Sequence, residues 1–271
     1  MKILNKLIYA VLMVFLFLPL LSMLIWAFFS SWTADEILPS DFTLRWFRYF
    51  FDSGDWLIGV KSVVFSAAAA FISLVLSIML SRFFIKSSFK YKHQLESMFY
   101  LPMLLPVVSV CIGSHKMLLN MFGIRGSAVV LILHVYFALP YAFKMVYSFY
   151  HVWGMEQEQV ARGLGADKWK AFYLINVPVY LTGYISSFLM AFIISYSQYF
   201  VNFFVGDYKS VNFSMIMTPY ITGSDRNIAS VYTLLYMLYG IIVMALCAGI
   251  EKIYNNRKRN ESYEFSGAEK P

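Results

Sequence analysis

Uninterrupted apolar windows dominate the chain, at approximately 8–29, 58–84, 98–119, 128–149, 180–205 and 228–250. Each supplies the ~20 residues that a helix needs to cross the hydrocarbon core of a bilayer, whereas apolar runs in soluble cores stop at about ten. The first window follows Lys2 and Lys6, as a secretory signal would. It runs past signal length, however, and leads into Trp26, Phe28 and Trp32 without a small-residue cleavage site, so it reads as a retained anchor. No long linker, low-complexity tract or internal repeat interrupts the pattern. It predicts an all-α integral membrane protein with six transmembrane helices, forming a single membrane domain over 1–271.

The polar connections carry the charge, and their charge orients the chain. Lys2, Lys6, Arg82, Lys86, Lys90, Lys92, Arg162, Lys168, Lys170, Lys252, Arg257, Lys258, Arg259 and Lys270 gather on one side of the alternating spans. Arg45, Arg48, Lys61, Lys116, Arg125, Lys209 and Arg226 fall on the other. Cytoplasmic loops retain the excess of Lys and Arg, so this bias of about two to one predicts both termini in the cytoplasm. The segments 30–57, 120–127 and 206–227 are then outside, and 82–97, 151–179 and the basic tail inside.

Composition agrees with the membrane reading: 60% of residues are hydrophobic, 14% are charged and the mean hydropathy is +0.63. The net charge of +7 is spread over short connections and forms no aromatic-basic platform, which argues against nucleic acid and leaves membrane lipid as the surrounding partner. Cys111 and Cys247 lie in separate apolar windows without metal or redox spacing and read as packing residues. His93, His115, His134 and His151 form no ligand-spaced set, no nucleophile-base arrangement is visible, and an enzyme is not indicated. No metal or cofactor site is expected on this chain.

The inside segment 151–179 is too structured in pattern for a tether. Glu156 and Glu158 suit the positive end of a first short helix, and Val160, Ala161 and Leu164 recur at helical spacing. Gly165 can supply the left-handed residue that ends it. Asp167 offers an N-cap for a second short helix with Trp169, Phe172 and Tyr173 on one side, and Pro178 fits the first turn of the next span.

These residues resemble the cytoplasmic signature of the permease subunits of binding-protein-dependent ABC importers of type I. The signature reads Glu-Ala-Ala, three residues, Gly, nine residues, Ile, one residue, Leu-Pro. Gly165 is followed after nine residues by Ile175, then by Val177 in the Leu position and Pro178, while Gln159, Val160 and Ala161 occupy the Glu-Ala-Ala slots. The resemblance implies a coupling segment between helices 4 and 5, gripped by a dimer of ABC ATPases that hold the ATP and Mg. It also implies a second permease subunit, distinct or identical, an extracytoplasmic substrate-binding protein docking on outer loops such as 32–55 and 207–226, and residence in the bacterial cytoplasmic (inner) membrane. No Gly-Lys dipeptide occurs, so the phosphate-cradling loop must belong to another chain. The chain departs from the signature at Gln159, where the family places the glutamate that meets the ATPase; Glu156 and Glu158 are close enough to substitute electrostatically, or a partner permease carries the stronger contact.

In a bilayer, polar side chains face the bundle interior or water. Ser195, Gln198 and Asn202 fall at i, i+3 and i+7 with Tyr199 beside them, and His134 lies within the fourth span, so these are the candidate translocation-path residues. Helix–helix hydrogen bonding uses the same residue types, and a satisfied core histidine is the competing reading of His134. Ser62, Ser66, Ser73 and Ser77 favour close helix packing, and Pro102, Pro106 and Pro140 are expected to kink their helices. Carboxylates are confined to span ends such as Glu96 and Glu251, which argues against an ion-driven carrier working alone. The short build and phrases such as TPYITGSDRNIAS resemble the second permease of polyamine, aminoalkylphosphonate, thiamine and iron importers. A small polar solute is expected, with a polyamine such as spermidine or putrescine preferred because the 20 tyrosines could offer cation-π contacts, and an aminoalkylphosphonate next.

Overall fold

A computed structural model describes residues 2–31, 39–123, 126–206, 210–223 and 225–266. In chain order the elements are α1 (Lys2–Phe28), β1 (Phe29–Ser31), β2 (Ser40–Phe42), α2 (Arg45–Asp52), α3 (Asp55–Lys86) and α4 (Lys92–Phe99). A 3-10 turn (Leu101–Met103) follows, then α5 (Val107–Phe122), α6 (Ser127–Trp153), α7 (Glu156–Gly163) and α8 (Lys168–Ala171). A π turn (Phe172–Asn176) leads into α9 (Val177–Tyr196), and α10 (Tyr199–Val205), α11 (Phe213–Thr222) and α12 (Arg226–Ser266) complete the chain.

Among the described residues, five helical runs are long and apolar enough to cross a membrane: Leu4–Phe28, Asp55–Lys86, Ser127–Trp153, Lys168–Tyr196 and Arg226–Arg257. A sixth crossing exists only if Lys92–Met103 and Val107–Ser114, bent by 97° at their junction, act as one span. The span expected over 98–119, with kinks at Pro102 and Pro106, is bent at those prolines. Pro102 lies within the 3-10 turn and Pro106 directly precedes α5, and neither has the N–H that a continuing helix needs, so the break falls near the start of the expected span. Pro140, by contrast, lies inside α6 without ending it.

The chain divides into two compact units, Met1–Ser62 with Val211–Tyr239, and Val63–Ser210 with Gly240–Pro271. In the first, Ala27, Phe50, Phe213, Val231, Tyr232 and Leu235 form the core. The β1–β2 hairpin pairs Phe29 with Phe42 and Ser31 with Ser40. The Asn227 amide donates to the carbonyls of Trp26 and Phe29 at 2.8 and 2.6 Å, satisfying groups that the end of α1 leaves open. Most of α1, from Leu4 to Leu18, is exposed apolar surface, an arrangement that water would not tolerate and lipid requires.

The second unit is built on α6 packed against α9, where Gly183 lets the ring of Phe149 approach so closely that an added Cβ would lie 2.7 Å from it. One core cluster joins Val146, Tyr150, Tyr180 and Tyr184, and another joins Cys111, Val129, Val130, Leu133, Phe137, Val201 and Val205. On α3, Ser73 and Ser77 are buried and donate to carbonyls one turn back, at 2.9 and 2.6 Å, so their polar atoms cost nothing in close packing.

Candidate coupling site and buried polar clusters

The segment after α6 turns at Gly154, whose φ of 69° is open to glycine, and enters α7. The far end of α7 closes as the sequence anticipates. Ala166 N–H reaches back to the Ala161 carbonyl at 3.0 Å and Gly165 N–H to Arg162 at 3.1 Å, the paired bonds of a Schellman motif, with Gly165 at φ 93° in the left-handed position. Asp167 then caps the next helix, its carboxylate accepting from Trp169 N–H at 3.0 Å. The expected second short helix is not a separate piece: helix runs unbroken from Lys168 to Tyr196. The π turn makes this possible, because its wider ring relieves the clash that Pro178 would otherwise impose on the preceding turn.

The α7 segment exposes Glu156, Gln157, Gln159 and Arg162, as a surface helix does, but departs from that pattern at three positions. Glu158 points inward at 3% exposure beside buried Met155, while Val160 and Leu164 point outward at 62% and 85%. Glu156 and Gln159 are also exposed, Ala161, Ile175 and Pro178 half-buried. An open depression of about 580 Å³ lies along Gln159, Arg162, Gly163, Gly165, Ala166, Asp167 and Lys168.

Glu158, one of the two acidic residues near the signature position, is held by other groups of this chain. Arg82, on α3, donates to both carboxylate oxygens at 2.7 and 2.5 Å, and the Lys86 ammonium lies 3.8 Å away. Asn176, in the π turn, donates to the same carboxylate at 2.9 Å. The Asn176 carbonyl oxygen in turn accepts from Tyr150 of α6 at 3.1 Å and from Tyr184 of α9. Burial alone would raise the Glu158 carboxyl, but Arg82's hydrogen bonds and charge, then Lys86 and Asn176, hold it below its ordinary value. The sequence pattern presented Arg82 and Lys86 only as orienting charges; their separation of four residues, which puts both on one helical face, was the available signal. Asn176, a polar residue set between Ile175 and Val177, was the other.

The path candidates meet in a second cluster. The fifth span does not continue as one helix: Gln198 (φ −78°, ψ 77°) centres an inverse γ-turn closed by Tyr199 N–H on the Ser197 carbonyl at 2.9 Å. Ser195 and Asn202 nevertheless converge, on opposite sides of the His134 ring, at 2.8 Å from Nδ1 and 2.8 Å from Nε2. Since the Asn202 amide nitrogen donates to the Ser210 carbonyl at 2.8 Å, its oxygen faces the ring, so Nε2 carries the proton and Nδ1 accepts from Ser195. His134, Ser195 and Asn202 are all buried, and the ring of Phe65 stands edge-on to the imidazole at 5.2 Å. Gln198 is buried at the break, and Tyr199 stacks on Phe203 at 5.4 Å. The outer-loop docking candidates 32–55 and 207–226 lie in part outside the described residues, at 32–38, 207–209 and 224. Among the described residues, no three His, Cys, Asp or Glu come together as a metal site.

Comparison with known proteins places this geometry. Residues 73–260 match the family described as binding-protein-dependent transport system inner membrane component. The chain is 26% identical over 189 residues to the molybdenum transport system permease protein ModB of Escherichia coli K12, covering 61% of this chain and 81% of that protein. It is 26% identical over 191 residues to the putative 2-aminoethylphosphonate transport system permease protein PhnV of Salmonella paratyphi A, covering 68% of this chain and 70% of that one. In fold it is similar to a chain of the MetNI methionine ABC transporter in inward-facing conformations, with a TM-score of 0.58 and 13% identity over 73% of this chain and 97% of that chain. A polytopic helical chain with a capped, glycine-cornered segment at 156–178, matched by the family over most of its length, belongs to the inner-membrane permease subunits of binding-protein-dependent ABC importers.

Proposed function

We propose that this chain forms half of the translocation path of an ATP-driven importer, spans the inner membrane six times with both termini inside, and docks through 151–179 on an ABC ATPase dimer. The observation that carries this reading is the outward pair Val160 and Leu164 of the α7 segment. A segment that buries Glu158 and offers Val160 and Leu164 to solvent leaves apolar area exposed at a cost that a partner's surface offsets. Val160, Ala161, Leu164 and Gly165 form the docking edge with Gln159; Glu156 remains the exposed acidic group there, and Ile175 and Pro178 brace the return to the membrane. The partners are the ATPase dimer, a second permease subunit and an external binding protein. Ser195, Gln198, Tyr199, Asn202 and His134 shape the path by holding the break between α9 and α10 in one geometry.

The solute is small and polar. The expectation of a polyamine rests on aromatic composition alone. The name of one relative supports an aminoalkylphosphonate as the second reading. Vesicles reconstituted with the permease pair, its ATPase and its binding protein decide: uptake must require all components, and binding-protein stimulation of ATP hydrolysis by 2-aminoethylphosphonate, spermidine, putrescine or molybdate identifies the class. Uptake by this chain without an ATPase would overturn the reading.

A further inference from the structure

We propose that Arg82, Glu158 and Asn176 form an internal clamp that positions the docking helix α7, so that Glu158 acts inside this chain and makes no contact with the ATPase. The inference rests on the coupling role just assigned to 151–179. α7 is joined to its neighbours through two glycines at positive φ: Gly154, whose carbonyl accepts from Tyr180, and Gly165, closed by the Schellman bonds. These bonds fix its ends, and the carboxylate of Glu158 on its inner face adds the side-chain tie to α3 and the π turn. The bidentate fork of Arg82 fixes the orientation of Glu158 relative to α3, and a planar fork constrains angle as well as distance. Asn176 ties the same carboxylate to the π turn, and through Tyr150 and Tyr184 to α6 and α9. Glu158 is therefore held directly from α3 and the π turn, and Asn176 carries the link on to α6 and α9; a π turn inside a long helix is a common place for a functional adjustment. A push on the outer face of α7 moves α3, α6 and α9 together while the clamp holds; without it the push is spent turning α7 between its glycines.

The test uses Glu158→Gln, and Arg82→Lys, which keeps the charge but loses the fork, in the full chain carrying a spin label at Gln157→Cys, an exposed position on α7. Two quantities are read: label mobility in the permease alone, and solute transported per ATP hydrolysed in vesicles with ATPase and binding protein, using whichever panel solute stimulates hydrolysis. Both variants should loosen the label and still bind the ATPase. Transport per ATP should fall about five-fold or more, the lower range of a coupling free energy between sites. The charge-swapped pair Arg82→Glu with Glu158→Arg should recover both quantities in part. A label as immobile in Arg82→Lys as in the parent, or an unchanged transport ratio, overturns the clamp. Failure of the parent chain to bind any ATPase would instead overturn the coupling role, while the label in the permease alone would still report on the clamp.

Discussion

Gly165 and Glu158 illustrate how single residues set the docking edge. At φ 93°, Gly165 has open space around its missing Cβ, so a substitution there is penalised by backbone conformation and by nothing else. Gly165→Val should cost about 1–2 kcal/mol locally, unwind the Schellman closure and depress uptake, while membrane insertion, followed by fractionation, stays intact. Glu158 carries the opposite kind of constraint. Its carboxyl is held below its ordinary value, so its contribution to stability is fully present above the unfolded-state value and is lost as pH falls through the lowered one. The transport-to-hydrolysis ratio should therefore be flat across the neutral range and decline only on acidification beyond ordinary carboxylate titration; a step near neutrality would contradict the assignment. Neither role was visible in the residue type alone. Glycine at 165 announces a helix end by its place after a periodic run, whereas the acidic pair at 156 and 158 looks equivalent until the helix phase puts one out and one in.

Elements obey the apolar pattern where the packing is simple and depart from it where prolines or polar residues intervene. The windows at 58–84 and 128–149 became α3 and α6 with only their ends extended. The window at 98–119 is sharply bent where Pro102 and Pro106 lie four residues apart, as prolines spaced by about one turn impose. The window at 180–205 failed at Ser197 and Gln198 for a subtler reason: hydropathy cannot register a γ-turn, and the hydrogen bonds that favour it come from His134, far away in sequence. The same blindness hid the clamp, since Arg82, Glu158 and Asn176 belong to three separate elements. The α6–α9 contact offers a direct check at this scale. Gly183→Leu forces a side chain into the ring of Phe149 and should lower stability by about 1–3 kcal/mol, read as a fall in unfolding temperature in detergent. No change would mean that the two helices pack more loosely than the 2.7 Å approach requires.

For the whole molecule, the membrane reading and the family membership stand on independent grounds, one on apolar helices and the other on sequence similarity over 73–260. The proposed orientation of the chain in the membrane rests on its Lys and Arg distribution, and six crossings require the bent pair at 92–114 to count as one. Impermeant thiol labelling should modify Ser53→Cys from outside and Asn256→Cys only after permeabilisation. Labelling of both from one side would remove a span or add one. The importer reading also gives the exposed flank of α1 a purpose, because a helix with no buried stretch must be covered by lipid or by neighbouring subunits.

The central claim is that the outward face of α7 is held by an ATP-hydrolysing neighbour, and a photo-crosslinker placed at Leu164, 85% exposed at the tip of that face, tests it most directly. In native membranes it should join this chain to a nucleotide-hydrolysing subunit, and Leu164→Asp should reduce the amount of that subunit recovered with the chain by about tenfold, as the loss of ~1.4 kcal/mol of apolar contact requires. Crosslinks only to lipid, or equal recovery of the ATPase with Leu164→Asp, would contradict the account.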